Sequence, residues 1–262
     1  EDTPLTIALS ASDIDGDDLS FTAESGNENV TVSLINNQLT LIPAENWNGS
    51  TNILVTVSDG EFTDSEVFMF VVTPINDAPV ISLPDDFTFE EDDSLTVNFS
   101  GYVSDIDEDG LTLSVSDMDN IEVTINEFAV SFYTPLNWYG TDTLVFTVND
   151  NQGRAIASDS VNVTVSPVND APVITAQVEL ATLEDTELEI ELEGLSVTDV
   201  DNIYPGDFTV IVLGGEDYTV DGTEIIPVLD YFGILTVPVY VEDGETENNR
   251  SNTFNLTVTV SP

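Results

Sequence analysis

Residues 75–80 read Ile-Asn-Asp-Ala-Pro-Val, and residues 168–173 read Val-Asn-Asp-Ala-Pro-Val. Around these two hexapeptides, other landmarks keep the same period. A Glu-Asp pair stands at Glu1-Asp2, Glu91-Asp92 and Glu184-Asp185. An Asp-x-Asp stands at Asp13/Asp15, Asp105/Asp107 and Asp199/Asp201. An aromatic-Gly block stands at Trp47-Asn48-Gly49, Trp138-Tyr139-Gly140 and Tyr231-Phe232-Gly233, and a late acid at Asp59, Asp150 and Asp243. Each series recurs at 90 to 94 residues. Several independent landmarks holding one period identify tandem modules. The expected boundaries are 1–80, 81–173 and 174–262, with the third copy divergent.

Between landmarks the chain reads as short strands rich in Val, Ile and Thr, bounded by Asn, Gly, Asp and Pro. In the first copy these are 5–9, 30–34, 39–42, 53–57 and 67–72. In the second they are 95–99, 111–115, 121–125, 143–148 and 161–165, and in the third 188–192, 208–212, 234–241 and 254–260. No stretch shows a capped helical stripe. Seven or so strands in about 90 residues predict an all-β, two-sheet sandwich. Trp47, Trp138 and Tyr231 read as core plugs beside a turn, with Gly49, Gly140 and Gly233 relieving the bend; the alternative is a sugar-stacking stripe.

Composition narrows the function. The chain of 262 residues carries 51 acidic and 2 basic residues, a formal charge of -49. Its only side-chain cations are Arg154 and Arg250, so nearly every carboxylate is solvated, hydrogen-bonded or cation-bound. Nucleic acid and anionic membrane are excluded as natural direct partners by the same sign. Apolar residues still make up 41% of the chain, too many for a disordered acidic tail. There is no Cys, His or Lys. That removes disulfides, thiol nucleophiles, the usual general base, most zinc and iron sites, and Schiff-base chemistry. Paired carboxylates alone can cleave glycosidic bonds, but a catalytic pair is expected once, in a cleft. Here the pairs are periodic and lie in turns, so no enzyme is expected. The chain opens in mid-pattern and stops where a further linker is due, so it reads as an excerpt of a longer protein.

The acids suit a hard cation. Calcium takes six to eight oxygens from carboxylates, carbonyls, Asn side chains and water. Asp-x-Asp supplies two carboxylates at a strand end. Asn76-Asp77 and Asn169-Asp170 add ligands beside a joint that Ala-Pro holds extended. An isolated Asp-x-Asp would mark only a turn; here acids recur in three parts of each module and can gather near a junction.

The runs Ser12–Asp17 and Ser104–Asp109, Val57–Gly60 and Val148–Asn151, and the two hexapeptides resemble the cadherin-like tandem repeats of large bacterial surface and secreted proteins. The likeness covers essentially the whole chain and is strongest in the linker. It implies seven-stranded Greek-key sandwiches, cadherin-like and immunoglobulin-like, arranged end to end, with calcium held between consecutive modules. Carried over, the first linker would use Glu1, Asn76 and Asp77 with Asp105, Asp107 and Asp150. The second would use Glu91, Asn169 and Asp170 with Asp199, Asp201 and Asp243. Asp2 and Asp92 are the alternatives for the early ligand. The acidic mid-strand segment of animal cadherins is replaced by Ala44-Glu45-Asn46-Trp47 and Leu136-Asn137-Trp138. Glu45 is a candidate substitute and Asn137 a weaker ligand. Pro74 and Pro167 stand where the linker would carry another Asp, so one or two ions per linker are expected. Asp13, Asp15 and Asp59 would serve an upstream module.

Two linkers with about two ions each offset about 8 charges, leaving a generally acidic, solvated surface. Affinities of roughly 10⁻⁴ to 10⁻³ M are expected, as for extracellular modules. The resemblance implies a calcium-rigidified extender, or stalk, of an extracellular adhesin or matrix protein, whose partners are its neighbouring modules. The alternative is a calcium-dependent module binding polysaccharide or its own kind. Tyr102, Tyr133 and Tyr204 are the candidate aromatic platform.

Overall fold

A computed structural model of the chain describes residues 1–116, 118–153 and 156–262. Arg154, one of the two cations, lies outside the described residues. The first repeat supplies β1 (Leu5–Ala8), β2 (Ser20–Ser25), β3 (Val30–Ile35), β4 (Gln38–Pro43), β5 (Gly49–Ser58) and β6 (Thr63–Val72). The second supplies β7 (Val80–Ile81), β8 (Asp86–Glu90), β9 (Ser94–Asn98), β10 (Val103–Ser104), β11 (Thr112–Ser116), β12 (Glu122–Asn126), β13 (Ala129–Tyr133), β14 (Gly140–Asn149) and β15 (Ile156–Ser166). The third supplies β16 (Val173–Gln177), β17 (Leu180–Leu183), β18 (Leu188–Glu189), β19 (Leu195–Thr198), β20 (Thr209–Val212), β21 (Tyr218–Asp221), β22 (Glu224–Pro227), β23 (Gly233–Glu242) and β24 (Phe254–Ser261). Among the described residues the only helical pieces are 3₁₀ turns at Phe99–Gly101 and Leu192–Gly194. The fold is all-β, in tandem sandwiches.

The sheets repeat one plan. Three-stranded sheets run β1-β4-β3, β9-β13-β12 and β18-β22-β21. They are matched by β2-β5-β6, β11-β14-β15-β8 and β20-β23-β24-β17. Alternation sets what each strand buries: in β24, Leu256, Val258 and Val260 are buried while Asn255, Thr257 and Thr259 face water. The first core gathers Val30, Leu39, Leu41, Ile53, Phe70 and Val72, and the third gathers residues including Val237, Val239, Leu256 and Val258. In the second repeat Phe99 is fully buried, and its ring lies 4.8 Å from Phe146 and 5.7 Å from both Phe87 and Tyr102.

Trp47 packs on the first core and Tyr231 on the third. Gly49 has φ of +144°, and a Cβ there would stand 2.9 Å from Trp47 Cζ2. The glycine is required both by its backbone and by the ring lying over it. One expected strand is shorter than its sequence suggests. β18 ends at Glu189, Ile190 is buried, and Leu192 turns into the 3₁₀ segment.

By its contacts the chain forms two compact units. One comprises residues 1–87, 95–133 and 142–163, the other 88–94, 134–141 and 164–262. Each linker cluster described next lies wholly inside one unit.

Candidate metal centre

The early glutamates anchor each linker. The Glu1 nitrogen donates to Thr73 O at 2.9 Å, and its carboxylate Oε1 accepts Ile75 N–H at 2.7 Å. Glu91 repeats this: its N–H donates to Ser166 O at 2.9 Å and Oε1 accepts Val168 N–H at 2.8 Å. Both residues are buried, 7% and 4% exposed, and in both Oε2 has no hydrogen-bond partner.

The rival acids each spend one oxygen on a turn. Asp2 Oδ1 accepts Asn46 N–H at 2.9 Å and Asp92 Oδ1 accepts Asn137 N–H at 2.8 Å. Asp185 does the same for Asp230 N–H at 3.0 Å. All six residues have positive φ, from 56° to 62°. In every copy the second acid of the pair therefore caps the turn before the aromatic residue.

The Asp-x-Asp loops are built by their first acid. Asp105 Oδ1 accepts N–H bonds from Asp107 and Asp109 at 2.9 and 3.3 Å, while Oδ2 is buried and unpartnered. Asp199 Oδ1 accepts N–H bonds from Asp201 and Asn202 at 2.9 and 2.7 Å, and its Oδ2 is likewise unpartnered. The second acid reaches the linker: Asp107 Oδ2 accepts Asp77 N–H at 2.8 Å, and Asp201 Oδ2 accepts Asp170 N–H at 2.7 Å. The long strands β14 and β23 deliver the buried Asp150 and Asp243, which accept the side-chain amides of Asn76 and Asn169 at 2.7 and 3.0 Å. All twelve residues singled out from the sequence thus fall into two clusters, one at each linker.

At the first linker, Glu1, Asp77 and Asp107 bring carboxylate oxygens within 4.8 Å of one another, and so do Asp105, Asp107 and Asp109. Asp109 is absent from the ligand set expected from the sequence. Its signal was the extension of Asp-x-Asp to Asp-x-Asp-x-Asp. Of the mid-strand substitutes, Glu45 is exposed, and Asn137 donates its amide to Asp170 Oδ2 at 2.7 Å. The loop of the first repeat folds like the others, Asp13 Oδ1 taking N–H bonds from Asp15, Gly16 and Asp17. Asp59 Oδ1 accepts Phe62 and Glu61 N–H groups, which hold that carboxyl below its ordinary value.

Crowding shows in the proton affinities. Burial, then the charges of Asp107, Asp2, Glu1 and Asp105, push the Asp77 carboxyl above its ordinary value. Burial, then Asp92, Asp201 and Asp199, do the same to Asp170. The Asn76 amide and the Gln152 N–H instead pull Asp150 down. Like charges gathered around buried, unpartnered oxygens, with neither nitrogen nor sulfur donors among them, make a set that could hold a hard divalent cation.

The model of the bacterial Ig domain family matches residues 1–70 and 76–166, more than half of the chain. The chain belongs to the bacterial Ig domain family. Residues 167–262 of this bacterial Ig-domain chain lie outside the match. They contain the longer loop Asn202–Asp207 after the third Asp-x-Asp. No curated protein matches the chain. Among solved structures it resembles the protocadherin GammaB4 extracellular domain at 16% identity and TM-score 0.53, covering 98% of this chain and 46% of that one. It also resembles mouse clustered PcdhgC3 EC1-3 at 14% identity and TM-score 0.53, covering 93% and 89%. These likenesses show the fold. The endo-fucoidan hydrolase MfFcnA4 from glycoside hydrolase family 107 also matches at 18% identity, but with a TM-score of 0.33; the chain spans 42% of its length. The cadherin-like resemblance read from the repeats agrees with the family and with these neighbours.

Proposed function

We propose that this chain is a non-catalytic extender segment of an extracellular or cell-surface protein, made of modules 1–80, 81–173 and 174–262 and stiffened by calcium at its two linkers. Domains of its family are generally non-catalytic, and no helix among the described residues is long and apolar enough to cross a membrane. The observation that carries the reading is the set of five buried carboxylate oxygens without partners, on Glu1, Asp77 and Asp105 at one linker and Glu91 and Asp199 at the other. A buried polar atom left unpaired costs about 1–3 kcal/mol, more when charged. Five of them in two small clusters call for a cation.

Glu1, Asn76, Asp77, Asp105, Asp107 and Asp150 would hold the ions of the first linker, with Asp109 added. Glu91, Asn169, Asp170, Asp199, Asp201 and Asp243 would hold those of the second. The overlapping triads at the first linker suit two ions sharing Asp107. Bound calcium supplies positive charge that ties the linker backbone to loops far away in sequence, so bending there costs coordination. Of the tyrosines named for a glycan platform, Tyr133 is exposed. Tyr102 packs against Phe87 and Phe99, and Tyr204 donates its hydroxyl to Leu192 O and packs on Phe208.

Small-angle scattering in calcium and in chelator tests the proposal. A smaller ensemble-averaged maximum dimension and greater flexibility are expected once calcium is removed; identical profiles would sink the stalk reading.

The raised carboxyls give this calcium dependence a pH sign. A native pKa above the unfolded value means the native state holds its proton more tightly. Without calcium, Asp77 and Asp170 therefore contribute most stability below their ordinary value of 3.8. They lose it as pH rises through the raised value. Calcium needs the same carboxyls deprotonated, so its binding weakens as pH falls through that window. The rise in melting temperature caused by calcium is expected to shrink between about pH 7 and about pH 4. Thermal melts with and without calcium across that range provide the check, and an increment that does not change with pH contradicts the assignment.

A further inference from the structure

The two linkers carry the same landmarks but satisfy them differently. Asn46 and Asn137 are counterparts. Each stands before the Trp of its block, each has positive φ, and each gives its N–H to the second acid of the Glu-Asp pair. Only at the second linker does this amide reach the linker acid, with Asn137 Nδ2 donating to Asp170 Oδ2 at 2.7 Å. At the first, the corresponding oxygen, Asp77 Oδ2, is buried with no partner.

A second set of amides closes around Asn169. Its Nδ2 donates to Asp243 Oδ2 at 3.0 Å, to Glu247 O at 3.1 Å and to Asn248 O at 3.3 Å. Asn248 Nδ2 donates back to Asn169 O at 3.1 Å, and Asn202 Nδ2 donates to Asn169 Oδ1 at 3.4 Å. Asn202 follows the third Asp-x-Asp, where the other copies carry Gly16 and Glu108, and Asn248 lies in the loop between β23 and β24. Among the described residues, carboxylate triads within 4.8 Å form at the first linker and none forms at the second.

We propose that the two linkers are graded in their need for a cation. The second is closed by side-chain amides and stays ordered when calcium is withdrawn; the first opens. Asn137 is the positioning residue that sets this difference. A neutral amide N–H on a carboxylate supplies part of the positive potential that an ion would otherwise provide. It also occupies one position around Asp170, so the second linker binds calcium more weakly than the first. The identity of the cation as calcium rests on the function proposed above; the difference in cation-free order does not.

Hydrogen exchange of the full 262-residue chain, read by mass spectrometry in calcium and in EGTA, tests this. The reporters are the amides held by carboxylates: Ile75 and Asp77 at the first linker, Val168 and Asp170 at the second. In EGTA, residues 74–80 are expected to exchange at least ~10-fold faster than in calcium, and residues 167–173 to change less than ~2-fold, since loss of one buried charged hydrogen bond shifts local opening by this order. Asn137→Ala is expected to make the second linker as labile in EGTA as the first. Asn137→Asp places a carboxylate against Asp170 and is expected to leave the second linker protected in calcium only, which a purely structural loss would not do. Equal exchange of the two linkers in EGTA, or unchanged protection at 167–173 in Asn137→Ala, overturns the proposal. If calcium leaves 74–80 as labile as EGTA does while 167–173 stays protected, the calcium reading fails and the grading stands.

Discussion

Asp107→Asn is expected to weaken calcium binding at the first linker by ~100-fold or more while leaving the second linker at wild-type affinity. Loss of a supporting partner alone costs about 10–100-fold at metal sites, and Asp107 is proposed as a ligand itself. It belongs to both carboxylate triads, so one substitution removes an oxygen from each. Asparagine keeps an oxygen able to accept the Asp77 N–H, now bonded at 2.8 Å, so the loop should keep its shape. In the cation-free protein the effect reverses. Asp107 is the first of the charges that push the Asp77 carboxyl up, and its neutralisation relieves that repulsion. The variant should therefore melt slightly higher than wild type in EGTA and lower in calcium. Isothermal titration calorimetry with paired melts measures both, and wild-type stoichiometry and affinity in the variant would exclude Asp107 as a ligand.

Phe99→Ala is expected to remove ~3–5 kcal/mol of stability from the second sandwich, the usual range for truncating a buried Phe. Phe99 is fully buried and central to a group of rings, with Phe132 6.5 Å away beyond the nearer Phe146, Phe87 and Tyr102. Its N–H is also bonded to Phe128 O at 2.7 Å, so a shift of the side chain disturbs the backbone at the 3₁₀ turn. Phe99→Leu keeps most of the volume and should cost less than ~1.5 kcal/mol. Guanidinium unfolding followed by the fluorescence of Trp138 reads the loss. A change under ~1 kcal/mol for the alanine variant would mean that the ring group does not hold this sandwich together.

How far the sequence reaches can be seen strand by strand. Long central strands such as β5, β14 and β23 were legible because they are Val- and Ile-rich and alternate. Some edge strands were not, although β1, β3, β9, β11, β12 and β20 were. β17 lies parallel beside β24, with Leu180 opposite Val258, a partner 78 residues later. Its four residues, Leu-Ala-Thr-Leu, carry no alternation that would reveal this. β8 and β2 also escaped: a short, polar-rich edge strand is defined by its neighbour more than by its own composition. Leu188–Leu192 erred in the other direction, because five apolar-alternating residues do not reveal that Leu192 will turn into a 3₁₀ segment.

The candidate site divides along a similar line. The period and the oxygen-only chemistry were written in the residue types and their spacing, and the pairing of each linker with acids from the following repeat was implied by the cadherin-like resemblance. These are local or periodic properties, and each copy testifies for the others. Glu1 and Asp2, or Glu91 and Asp92, are adjacent residues of like charge, and only the fold shows that the first bonds the linker backbone while the second, at positive φ, caps a turn. Asn46 and Asn137 are the same residue in the same turn, yet one amide reaches a linker carboxylate and the other does not. Which oxygen is left buried without a partner depends on where groups 30 to 80 residues away come to rest. Long-range packing decides that, and no repeat landmark records it.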